Sequence, residues 1–118
     1  MQNYHEMKKI SRIIDELLTH FLLRYQSRAQ IVVEETDTEH MVVFTMDDIE
    51  IEAEDYVKLV NDLNVARNPE LENYYWPLAG ESDSDSELTL VAMMSDSIDV
   101  TYEDNRLELR LMRKKSGK

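Results

Sequence analysis

The sequence predicts an α/β chain of the α+β kind, and three observations carry that reading. HEMKKISRIIDELLTHFLLRYQ, near the N-terminus, has the spacing of an amphipathic helix. QIVVEETDTEHMVVFTM has two β-branched runs around a polar turn, the pattern of a hairpin. SIDVTYEDNRLELRLMRKK closes the chain with alternating apolar and polar residues on either side of Asp104 and Asn105, a second hairpin.

The elements follow in order. Met7, Ile10, Ile14, Leu17, Phe21 and Tyr25 fall at three- and four-residue steps, and Ile13, Leu18 and Leu22 widen the stripe. A face that wide suits a helix lying across a sheet, predicted here over residues 4–26. Ile31–Val33 and Met41–Met46 form the first pair of strands. EAEDYVKLVNDLNVAR reads as a second helix, with Tyr56, Leu59, Val60 and Leu63 in phase and acids in the first turn, where the helix dipole favours them. Asn68 and Pro69 are a good cap and first-position pair for a short helix ending by Pro77. Gly80 opens the acidic loop ESDSDSE. For ELTLVAMMSD, residues 87–96, periodicity leaves helix and strand both open; Ala and Met favour helix, and Ser86 with Glu87 can cap its start. In the closing strand Leu107, Leu109 and Leu111 share one face, and the tail RKKSGK is expected to fray.

Composition narrows the function classes. A chain of 118 residues fits one domain and can bury roughly 65% of its unfolded surface. The apolar share is 42% with only 2 Gly and 2 Pro, which argues for regular elements rather than disorder. There is no apolar run of the ~18 residues needed to cross a bilayer, and MQNYHEMKKI lacks a signal-peptide core. With no cysteine, thiolate catalysis and disulfides are excluded and the reducing cytoplasm is the expected compartment. The net charge of −12 repels nucleic-acid phosphates and anionic membranes, so the expected partner is a basic protein, with no nucleic acid and no membrane.

The order of elements, with IIDELLTHFLL in the first helix, VVFTMDDIEIE at the end of the second strand and SELTLVAMMSDSIDV near the end of the chain, resembles the ATPase fold shared by gyrase, histidine kinases and MutL (the GHKL fold). It is most similar to the small anti-sigma-factor serine kinases of that group. The resemblance implies a two-layer sandwich, a mixed, mostly antiparallel sheet with helices on one face. It also implies that residues 87–95 are helical, and it implies a bacterial origin and a signalling role.

The departures from that pattern matter more. Glu16 stands where the family places the glutamate of its first box, but the metal-coordinating asparagine four residues on is replaced by His20. Asp47 or Asp48 matches the aspartate that reads adenine, without the glycines that follow it. The two phosphate-loop glycines fall near Asp85 and Glu87. Glycines let a backbone approach phosphate closely, and side chains fill that space. A carboxylate about 4 Å from a phosphate charge costs about 4 kcal/mol at an effective dielectric near 20. The expectation is a degenerate, non-catalytic interaction domain that has lost nucleotide binding and takes no cofactor. The alternative is an ATP-binding kinase or switch with an altered pocket, Glu16 its base and His20, Asp47 and Asp48 its nucleotide contacts. A weaker option is an acidic mimic of nucleic acid.

Other features read more simply. His5, His20 and His40 lack the close spacing of a metal cluster, and Glu16 with His20 is an ordinary one-turn pair on a helix. ESDSDSE lacks the glycine and closing glutamate of a calcium-binding hand. Tyr74, Tyr75 and Trp76 are the candidate partner-binding residues, with Met93 or Met94 as further members of such a patch, because aromatic side chains anchor interfaces.

Overall fold

The computed structural model describes residues 4–75 and 88–115. Helix α1 (Tyr4–Arg24) lays Ile10, Ile13, Leu17 and Phe21 into the core, as its spacing dictates. It ends two residues earlier than expected, where Tyr25 N–H donates to the Phe21 carbonyl at 2.8 Å and the chain turns toward the sheet. Strands β1 (Ala29–Glu35) and β2 (Glu39–Met46) pair antiparallel and run longer than their β-branched centres. The Thr36 hydroxyl accepts the backbone N–H groups of Thr38 and Glu39 at 3.3 and 3.1 Å, which tightens the turn and lets pairing reach Glu35 and His40.

Helix α2 (Ala53–Leu63) is shorter than the apolar pattern through Arg67; its end is an Asn64 that leaves helical dihedrals and bonds back to Asn61 at 3.2 Å. Helix α3 (Pro69–Tyr75) starts on the expected cap, the Asn68 side chain accepting the Leu71 N–H at 3.2 Å. Residues 88–93 form helix α4 (Leu88–Met93), settling the helix-or-strand question that periodicity left open. Its Leu88, Leu90, Val91 and Ala92 are buried and Thr89 is exposed, so a mostly apolar segment serves as a core helix. Strands β3 (Ser97–Glu103) and β4 (Arg106–Lys114) close on Asp104 and Asn105, both at positive φ (52° and 61°), the conformation of a two-residue hairpin turn.

The sheet order is β1-β2-β4-β3, and every hydrogen-bonded pair is antiparallel, which corrects the mixed sheet that the resemblance implied. The physical reason lies in the last hairpin. β2 and β3 run in the same direction, but β4 inserts between them, so no parallel pair forms. The helices sit on one face: Phe21 of α1 lies 5.1 Å from Phe44 of β2, and Tyr56 of α2 lies 6.0 Å from Tyr102 of β3, ring centre to ring centre. The core lies between these layers, built from the inward series Val42, Phe44, Met46 and Leu107, Leu109, Leu111 together with α1, α2 and α4. Among the described residues no helix is long and apolar enough to cross a membrane.

Candidate functional site

The inward alternation of β4 continues past Leu111 to Arg113, which is 3% exposed, so the segment expected to fray is ordered through Lys115. Arg113 Nε and Nη2 donate to Glu6 at 2.6 and 3.1 Å; Nη1 and Nη2 donate to Glu72 at 3.1 and 2.8 Å; Nη1 also donates to the Met94 carbonyl at 2.6 Å. Lys9 Nζ adds a bond to Glu72 at 2.7 Å. Burial alone would raise both carboxyls, yet the bonds and charges of Arg113 and Lys9 more than offset it and hold Glu6 and Glu72 below the usual carboxylate range. The same two carboxylates overcome burial at Arg113 and push its guanidinium up. His40, 3% exposed, sits at the edge of this cluster, 4.0 Å from Glu6 and 3.9 Å from Glu35. The cluster ties α1, α3 and β4 together. It is closed to solvent and structural in character.

A groove of about 480 Å³ opens between α1 and α2, with the start of α4 as its end wall. Phe21, Leu59 and Leu88 give it an apolar floor; Arg24, Asp55, Lys58 and Asp62 stand at its sides, Lys58 bonded to Asp62 at 3.1 Å. Tyr25 also lines it, and burial first, then the Asp55 charge, push its phenol up. His20 lines this groove, its ring edge-on to Phe21 at 4.7 Å. Glu16 is 4% exposed and is not among the lining residues. Asp47 lies elsewhere, in a second cavity of about 380 Å³ with Arg106, which donates to it at 2.8 Å. Asp48 is exposed at φ 57°. The residues matched to a nucleotide pocket are therefore divided: His20 lines the groove, Glu16 is buried and does not line it, Asp47 lines the second cavity, and Asp48 is exposed.

A third surface is built from the chain after β2. Residues 47–55, DDIEIEAED, hold six carboxylates and no Lys or Arg. Asp48, Glu50, Glu52, Glu54 and Asp55 are exposed, while Ile49 is buried and anchors the run. Tyr102 fixes its path: the hydroxyl donates to the Ile49 carbonyl at 2.9 Å and accepts the Ile51 N–H at 3.0 Å. Ile49 N–H donates to the Asn105 carbonyl at 3.0 Å, and the Ser27 hydroxyl donates to the Asp47 carbonyl. The acidic run leads into α2, which buries Leu59 and Leu63 and leaves Val57 56% and Val60 36% exposed. Val65, Leu71 and Tyr74 beyond it are exposed as well.

Of the expected patch, Tyr74 is at the surface of α3, whereas Met94 is fully buried and leaves the list: it follows Leu90 by one helical turn and faces the core. Met93 is half-buried against the same core. The Tyr75 side chain, Trp76 and the acidic loop 81–87 lie outside the described residues. Sequence reasoning missed Val57 and Leu71, and it set Val60, which is exposed, in phase with the buried Leu59 and Leu63. It also missed Arg113 and His40, although each extends an inward series by two residues.

These features define a class: an antiparallel α+β domain with a closed ion-pair cluster, a groove and an acid-edged apolar helical surface. Compared with known proteins, the chain matches no family model, no curated protein and no solved structure.

Proposed function

We propose that this chain is a non-catalytic protein-interaction domain whose acidic run 47–55 and exposed α2 face capture a basic, amphipathic segment of a partner protein. The carrying observation is the juxtaposition along the chain of the all-acidic run 47–55 with the exposed Val57 and Val60 of α2. A charge of −12 steers a basic partner toward the domain, and exposed apolar side chains then supply the area to be buried. The division of Glu16, His20 and Asp47 among separate environments supports the reading that nucleotide chemistry is lost, which is the part of the ATPase resemblance we carry forward as a proposal.

The test is affinity capture at low salt with the wild-type chain and with Val60→Glu, a change at a surface position that leaves the core intact. The wild type is expected to retain a basic protein that high salt releases and that Val60→Glu fails to hold. Equal capture by both chains, or no specific capture by the wild type, would overturn the proposal.

A further inference from the structure

Among the described residues strand β1 is an edge strand, hydrogen-bonded only to β2. Its seven residues, AQIVVEE, contain no proline or lysine, the residues that commonly blunt an edge. Val32 and Val33 are 51% and 46% exposed, and they point to opposite faces of the sheet. Val33 belongs to the inward face, opposite the buried Val42, yet it is left uncovered.

The helix above this edge carries matching apolar surface. α1 sits over β2 through Phe21 and Phe44, and α2 sits over β3 through Tyr56 and Tyr102. The side of α1 turned away from α2 therefore overhangs β1. Ile14, Leu18 and Leu22 follow one another at four-residue steps on that side; the first two are half-buried and Leu22 is 49% exposed.

We propose that this edge is a self-association surface, in which β1 pairs antiparallel with β1 of a second copy and joins two sheets into one of eight strands. Charge complementarity selects a second copy as the occupant. Every second residue of β1 turns its backbone groups toward β2, so only residues of like parity can face each other across a new seam. With Val32 on the two-fold axis, the whole strand overlaps itself. Ile31 then faces Val33 of the second copy, Gln30 faces Glu34, and Ala29 faces Glu35. No carboxylate meets a carboxylate. Arg28, exposed just before the strand, shares the face of Glu34 and lies diagonal to Glu34 of the second copy, within reach of a long side chain. Glu35 is already held by Lys115 at 2.6 Å. Such a contact is isologous and closes at two copies. A backbone seam alone buries little, and the two α1 flanks, carrying Leu22, add area toward the roughly 1,200 Å² that a stable interface needs.

Like charge opposes the pairing at long range, since each copy carries −12, so association is expected to strengthen with added salt. The test is sedimentation equilibrium of the full chain across concentration and salt. The expected result is a monomer–dimer equilibrium that Val32→Lys weakens by roughly tenfold or more, because two like charges then meet on the axis. Arg28→Glu is expected to weaken it too, and Arg28→Glu with Glu34→Arg to restore it. Both sites are exposed, and circular dichroism is expected to show an unchanged fold. A chain that stays monomeric throughout would overturn the proposal. So would a dimer indifferent to these changes but dispersed by Val60→Glu, which would place the contact on α2.

Discussion

Arg113 is held between Glu6 and Glu72 in a site closed to water, and that placement makes the two carboxylates depend on each other. Removing one charge leaves the guanidinium buried with half its compensation. Glu72→Gln is therefore expected to cost about 3 kcal/mol at neutral pH, the low end of what breaking a buried pair costs. The pH dependence has a definite sign. Both carboxyls are lowered in the fold, so their stabilisation is fully present above the ordinary carboxylate range and is lost as pH falls through the folded values. Urea unfolding followed from neutral pH to below about pH 4 should show wild-type stability falling with acid and the variant falling less steeply. Equal slopes would mean that Glu72 does not take part as described. The positions of these residues were legible in principle. Arg113 follows Leu107, Leu109 and Leu111 at the strand period, and His40 precedes Val42, Phe44 and Met46 in the same way. A charged residue at such a position reads as the frayed end of a strand unless its partners are known, and those partners lie on α1 and α3, 107 and 41 residues away.

Among the elements, the long amphipathic helix and both hairpins were readable because each declares itself through local period and turn chemistry. Helix α4 was not readable by period, because four of its six residues are buried and so short a segment shows none; Ala and Met composition and the resemblance pointed to the helix that forms. The sheet's direction was also out of reach of local signals. It depends on β4 entering between β2 and β3, a long-range placement that local patterns do not encode. The acidic run 47–55 was visible as composition, but its shape comes from Tyr102 on β3, whose hydroxyl serves both Ile49 and Ile51. Tyr102→Phe removes both bonds while keeping the ring that faces Tyr56. It is expected to destabilise the chain by about 1 kcal/mol and to speed amide exchange at Ile51 selectively. Exchange that rises uniformly, or not at all, would show that the hydroxyl does not hold the run.

For the whole molecule, the distribution of surfaces separates three roles. The ion-pair cluster joins the helical layer to the sheet, the β1 edge faces outward on one side, and α2 presents Val57 and Val60 directly after the acidic run 47–55. The groove between α1 and α2 keeps His20 but neither Glu16 nor Asp47 among its lining, which favours the proposed partner capture over nucleotide chemistry. The most direct test is a map of backbone amide shifts in the labelled chain, first with magnesium–ATP and then with a lysine-rich amphipathic helical peptide. No saturable change is expected with the nucleotide, and saturable changes with the peptide are expected to cluster at residues 48–60. Nucleotide-dependent shifts at His20, Phe21, Tyr25 and Thr89, with residues 48–60 silent toward the peptide, would overturn the proposed partner capture.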